Sequence, residues 1–348
     1  MHSISIENPV ATIHEAYIAM QSEKRPPRQR DAAARLGVSE AELVAAHCQT
    51  TATRLRGEWL EILNDLASLG TVMALTRNEH IVIEKGGVYG EVQGHAHVAM
   101  MRHGALDLRF FCSRWAFAFA CEDHAATTKR SLQFFDASGT AVHKVHLRES
   151  SDVASFAALV AKYQHADQSG SLSIEAQPTD TVLPDASIDV DKLRCDWDAM
   201  TEVHQFFGIL KQHQVSRRQA LRLAGESRAR IVSRHALRDT LTAAASEELN
   251  IMIFVGNRGC IEIHSGPVRR IVEANGWLNV LDDGFNLHAK GTGIAEAWVV
   301  HKPSEGRTLR SLEVYSEDGE NTALLFVNRE AGETHISQWN QLLGALES

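Results

Sequence analysis

The segment TEVHQFFGILKQHQ, residues 201–214, places two imidazoles around an aromatic and aliphatic run, His204 at its start and His213 near its end. A neutral imidazole is a good donor to a transition metal or to haem iron. It is equally at home against apolar surface with a carbonyl partner, and these residues alone leave both roles open. Arg109 stands by itself in the apolar run ALDLRFF, residues 105–111. Its guanidinium stays protonated, so it does not ligate a metal readily, but it can pair with a carboxylate or hydrogen-bond an oxygen. GHAH, residues 94–97, sets His95 and His97 on one face of a strand, a spacing that zinc could use. No third donor at fixed spacing and no Cys pair accompanies them, so we read them as solvent-facing or core histidines. The histidines of KVH (144–146) and HKP (301–303) are individually just as weak.

Several common chemistries have no motif here. The chain lacks GxGxxG after a strand, GxxxxGK[ST], GxSxG and HExxH. AKGTG (289–293) imitates a phosphate loop but reads as a turn between strands, with no helix after it. Nucleotide binding and triad hydrolysis are set aside. What is left is a histidine on an aromatic helix, an arginine in an apolar strand and basic residues in the second half. That mixture suits a flat, hydrophobic, anionic ligand carrying a metal: apolar walls for its faces, Lys or Arg for its carboxylates, imidazole for the metal.

The elements that must position these side chains come twice. RNEHIVIEKGG (77–87) falls in register with GNRGCIEIHSG (256–266), Asn78 against Asn257. ALDLRFF matches GFNLHAK (284–290), Leu108 against Leu287, and WAFAFACE matches IAEAWVVH. SLQFFDASG (131–139) matches SLEVYSEDG (311–319), and FAALVAKY (156–163) matches WNQLLGAL (339–346). One offset of 179–183 residues serves all five segments, which reads as a tandem duplication. Each copy has a helical lead-in, EWLEILNDLASLG or HALRDTLTAAASEE, then strands split by Gly, Asp and Asn turns, then a closing helix at 152–163 or 335–346. Strands joined by short turns make an antiparallel sheet, so the predicted class is α+β. In the duplication Arg109 aligns with His288, and this asymmetry predicts one cleft per chain, built with the helix between the repeats.

The predicted domains are 1–167 and 189–348, joined by an exposed polar linker, 168–188, with two prolines. After the linker, DVDKLRCDWDAMTEVHQFFGILKQHQV reads as strongly helical, with Asp196 able to cap. Trp197, Met200, Val203, His204 and Phe207 fall on one apolar stripe, which would set His204 on an apolar face. RDAAARLGVSEAELVAAH (30–47) resembles a helix-turn-helix. A DNA-reading second helix presents basic or amide groups near its start, whereas this one offers Glu40 and Glu42, so a plain helical hairpin is the better reading.

Bulk properties agree. The 348 residues suffice for two domains or one large duplicated one, and 44% hydrophobic with 23% charged residues is an ordinary globular composition. A net charge of −9 argues against a protein built to coat nucleic acid or anionic membrane. Five scattered cysteines, without CxxC or CxxCH, suggest free thiols in a reducing compartment. The N-terminus lacks a signal-peptide layout and no apolar run could span a bilayer, so the expected location is cytoplasmic. Eighteen histidines are a weak pointer to a metal or metal-bearing cofactor.

AMTEVHQFFGILKQHQVSRRQA, FVGNRGC, GWLNV, IAEAWVVHKP and ALDLRFF together resemble the HemS family, cytoplasmic haem-trafficking or hemin-degrading proteins of Gram-negative bacteria. The resemblance runs from about residue 25 to the end, and the family fold is itself a tandem α+β repeat. It implies haem b as the ligand and the VHQFF histidine, His204, as the axial iron ligand. His213, nine residues on, would be an alternative or transient ligand. The LDLR arginine, Arg109, would be the distal residue, and the catalytic one if the protein is an enzyme. Lys302 of the KP motif and Arg329 would meet the propionates, and Phe254 would line the pocket. Phe326 stands where some members carry a tyrosine, which removes one polar contact. The expected function is haem binding for uptake and iron acquisition. The partners so implied are an inner-membrane haem importer and a haem oxygenase or other acceptor. The alternative is ring opening with an external electron donor, since no flavin or nicotinamide motif is present; a haem-responsive DNA-binding protein ranks below both.

Overall fold

The computed structural model describes residues 9–123, 128–179 and 181–346; the start of the N-terminus read above, residues 1–8, and Asp180 of the linker lie outside the described residues. The chain forms two compact units, one of residues 1–77, 85–177 and 257–261, the other of residues 78–84, 178–256 and 262–348.

The first unit opens with helices α1 (Pro9–Gln21), α2 (Gln29–Leu36) and α3 (Glu40–Ala45), and α4 (Trp59–Asp65) follows the strand β1 (Ala52–Leu55). Next come β2 (Thr71–Arg77), β3 (Ile81–Val88), β4 (Gln93–His95), β5 (Val98–His103) and β6 (Leu106–Phe110). β7 (Trp115–Asp123), β8 (Lys129–Asp136), β9 (Ala141–Leu147) and α5 (Val153–Tyr163) complete the first half of the chain. Within the unit, β1-β7-β8-β9-β2 lie in that order, and β4-β5-β6 form a second run. The pairings β1–β7, β7–β8, β8–β9, β9–β2, β4–β5 and β5–β6 are all antiparallel.

The second half repeats this. Helices α6 (Val190–Asp198), α7 (Gln205–Gln212) and α8 (Arg217–Ala224) lead into β10 (Ala229–Val232), α9 (Ala236–Ser246), β11 (Ile251–Gly256) and β12 (Cys260–Gly266). β13 (Ile271–Ala274), β14 (Trp277–Asp282), β15 (Phe285–Lys290), β16 (Glu296–Ser304), β17 (Arg307–Tyr315), β18 (Asn321–Val327) and α10 (Glu333–Ala345) follow. The orders are β10-β16-β17-β18-β11 and β13-β14-β15, matching the first unit strand for strand. The class is α+β and the duplicated unit is real.

The paired asparagines make the duplication explicit. Asn78, from the first half of the sequence, lies in the second unit, and its Nδ2 donates to the carbonyls of Gly256 (3.2 Å) and Thr322 (2.8 Å). Asn257, from the second half, lies in the first unit and donates to Arg77 (2.8 Å) and Val142 (2.9 Å). Each Oδ1 accepts two amides of its own turn, from His80 and Ile81 or from Gly259 and Cys260. An amide side chain meets four backbone groups this way, and neither Asp nor Ser has the donors to replace it.

The repeat also reaches into the helices. Gly37 follows α2 at φ 70°, and Ser39 then opens α3 with a capping box to Glu42. Gln214 follows α7 at φ 50°, and Ser216 opens α8 with a capping box to Gln219. The helix preceded by His204 is therefore the second copy of α2. Glu40, at the start of α3, is buried and pairs with Lys144 and Arg77 inside the first unit. That end of α3 faces the core, as the end of a packing element does.

The linker is more ordered than its composition suggests. Glu175 donates to the Ala137 carbonyl at 2.8 Å, Gln177 bonds the Asp136–Thr140 turn, and Leu172 and Ile174 pack on the apolar cluster of Phe119 and Phe135. Leu183 donates to the Gln214 carbonyl at 2.8 Å in the second unit.

Candidate functional site

The continuous helix expected from 189 onward is broken. Asp189 caps α6 by accepting from the Lys192 amide, α6 ends at Asp198, and α7 begins only at Gln205. Asp196 does not cap; it accepts from Gln212 at 3.0 Å and bonds His213 Nε2 at 2.7 Å. Leu193, Trp197 and Met200 are buried, so the apolar stripe is real up to the break. Past it the register turns: Phe206 faces in, whereas Phe207 is 75% exposed.

His204 sits at the N-cap of α7, and its imidazole is 85% exposed, not on an apolar face. Its Nδ1 lies 2.6 Å from Glu202 Oε1. A carboxylate accepts only, so Nδ1 is the donor, and in the neutral ring Nε2 then keeps the lone pair. The turn is tight: Gln205 Oε1 accepts the amides of Thr201 (2.8 Å) and Glu202 (3.2 Å), and the Gln205 amide donates to the Glu202 carbonyl (3.1 Å).

Beneath α7 lies a buried charge cluster. Arg217 grips Glu313 with two bonds of 2.7 Å, Tyr315 donates to the same carboxylate at 2.7 Å, and Lys302 donates to it as well. Burial would raise the Glu313 carboxyl, but Arg217 and Lys302 hold it well below the usual carboxylate range. Burial pushes the Lys302 ammonium down to about 8, and the Glu313 carboxylate opposes that shift. The two cations also bracket the Phe206 ring, Lys302 Nζ at 4.4 Å and Arg217 at 5.1 Å. Lys302, 3% exposed, is thus committed to Glu313 and to the support of α7. A propionate from outside would have to compete with Glu313 for this ammonium, and leaving Glu313 would strand a buried charge.

Arg329 is exposed and pairs with Glu305 at 3.0 Å. Glu305 opens the β16–β17 turn at φ 51°, and its amide donates to the Thr201 carbonyl at 2.7 Å. Phe254 on β11 and Phe326 on β18 are half-buried, with ring centroids 5.4 Å apart at 76°. His213 is 6% exposed and held by Asp196 through Nε2, a brace between α6 and α7 and not an accessible donor. Arg109 lies in the first unit on β6, opposite Met100, and pairs with Asp107. His95 and His97 are exposed with centroids 5.9 Å apart. Among the described residues no three His, Cys, Asp or Glu side chains gather as for a bare metal ion. A macrocyclic metal complex brings four donors of its own and asks the chain for only one or two.

Glu202 and Lys211 are not singled out by the sequence, and Phe207, placed there on the apolar stripe, is exposed. Their signal is the spacing around His204: Phe207 and Lys211, three and seven residues on, are exposed on the helix face that follows it.

The chain matches the haemin-degrading HemS.ChuX domain twice, over residues 37–163 and 214–346, and it belongs to that family. It is 36% identical to the hemin transport protein HmuS of Yersinia pestis over 343 residues, 97% of either chain. It superposes on the haem-bound form of PhuS, a haem-binding protein of Pseudomonas aeruginosa, with a TM-score of 0.94 and 42% identity over all of both chains. ChuS, an Escherichia coli haem oxygenase, gives a TM-score of 0.86 and 33% identity over 96% of this chain and 99% of its own. No helix among the described residues is long and apolar enough to cross a membrane.

Proposed function

We propose that this protein binds haem b through His204 and carries it during haem uptake for iron acquisition, delivering it to a haem-degrading partner such as a haem oxygenase. The observation that carries this reading is the exposed His204 imidazole, held at Nδ1 by Glu202, in a chain of a haem-handling family. Haem supplies the iron and its redox chemistry; the chain supplies the surfaces and the ligand. Phe207, Phe254 and Phe326 offer apolar area, Arg329 a cation for a propionate, and Lys302 works from below as the support of Phe206. A single exchangeable imidazole suits release as well as capture. Transfer of haem to an apo-oxygenase, followed by stopped flow, should be faster than transfer to apomyoglobin as a passive trap; equal rates contradict directed delivery.

Ring opening is the second reading, favoured by the likeness to ChuS. It requires an external electron donor. Incubation of the haem complex with a reductant under air and catalase separates the two. A carrier keeps its haem, and an enzyme forms a ring-opened product that catalase does not suppress.

A further inference from the structure

We infer that Gly208 is a clearance residue: it keeps the helix surface beside His204 bare so that a flat macrocycle can lie against it. The inference rests on the reading of His204 as the iron ligand.

Glycine inside a helix is less stable than alanine because it leaves more backbone freedom to lose, so a helical glycine needs a reason. Gly208 occupies the middle of α7, with Phe206, Ile209 and Leu210 turned into the core around it. Its φ is not in the left-handed region, so no turn or cap requires it. A Cβ built at Gly208 meets nothing within 4 Å, so packing does not require it either. The fold itself gives no reason for glycine at this position.

The position does. Residues four apart lie on one helix face, and helical side chains lean toward the N-terminus, so a side chain at 208 would lean toward His204. Phe207 and Lys211, both exposed, flank the gap. A bare metal ion or a small ligand on Nε2 needs only the imidazole. A rigid planar ligand several times wider than the imidazole must clear the next turn as well, and Gly208 provides that clearance. The residue therefore selects for breadth and flatness of ligand at the expense of helix stability.

The test uses the full chain with Gly208→Ala and Gly208→Leu, measured haem-free and with ferric haem. Thermal unfolding of the haem-free Gly208→Ala protein should move to higher temperature, as expected for an open helical site. Haem affinity should fall with side-chain size, slightly for alanine and at least tenfold for leucine. Either of two results overturns the inference: unchanged haem affinity in both variants, or a haem-free Gly208→Ala protein less stable than wild type, which would give the glycine a role in the fold. His204→Ala is the control for the underlying reading. If haem affinity survives loss of the imidazole, the ligand assignment fails; if it collapses while the Gly208 variants bind normally, only the clearance argument fails.

Discussion

The amide of Glu305 donates to the carbonyl of Thr201 at 2.7 Å, while the Glu305 carboxylate holds Arg329 at 3.0 Å. One residue of the β16–β17 turn thus anchors the turn that carries His204 and pairs with the Arg329 cation. The backbone bond fixes position, and the side-chain pair sets how much positive charge is available.

Glu305→Gln separates these effects, since the amide remains and the competing charge goes. Haem affinity should rise and Arg329→Ala should lower it, each by up to about fivefold, the scale of a solvent-exposed ion pair. Haem dimethyl ester, which lacks the carboxylates, should respond to neither. Equal changes for the acid and the ester would remove Arg329 from the propionate role.

Glu202→Gln replaces the carboxylate that orients His204. Loss of such an outer partner typically costs about tenfold in metal affinity. In the haem-free protein, the nitrogen-15 shifts of His204 should show the proton leaving Nδ1 for Nε2 in the variant. An unchanged tautomer balance together with unchanged affinity would reduce Glu202 to a bystander.

The buried cluster under α7 predicts an asymmetry. Glu313→Ala leaves Lys302 and Arg217 as buried cations without their acceptor and should cost about 3–5 kcal/mol in denaturant unfolding. Lys302→Met leaves Arg217 and Glu313 paired and should cost distinctly less. The reverse order would mean that Lys302 is not spent on Glu313.

Much of this was legible in the sequence, and the losses have physical causes. The duplication was visible because strands joined by short turns keep their register through divergence, as Asn78 and Asn257 do. His204 was identifiable by its motif, but its placement on an apolar stripe was wrong. Helical periodicity cannot show that α6 stops at Asp198 and that the Gln205 side chain closes a separate turn. The resemblance assigns Lys302 to a propionate, and a sequence does not reveal that Glu313, one strand over, is buried with it as its partner. Asp196 read as a cap because its partners, Gln212 and His213, lie a helix away.

A pH dependence follows from the first unit. His143, buried between Tyr89 Oη (2.5 Å) and Thr76 Oγ1 (2.9 Å), is pushed down to about 3 by burial and by His146. Below its ordinary value of 6.5 the unfolded chain binds a proton that the folded one refuses. Stability contributed by the neutral ring is therefore complete above that value and lost as pH falls toward the folded one, at about 1.4 kcal/mol per pH unit. His47, held at about 4 by burial and His14, acts in the same direction. Urea unfolding of the haem-free protein at pH 6.5 and 5 should show the loss, and His143→Gln should flatten it; an unchanged slope in the variant would assign the acid sensitivity elsewhere.

The most direct test of the whole account is titration of His204→Ala with ferric haem beside the wild type, read by the Soret band and by affinity. The variant should show a shifted band and an affinity weaker by at least about tenfold, the loss that removal of even an outer partner of a metal ligand causes. A variant with the wild-type spectrum and affinity would contradict the account.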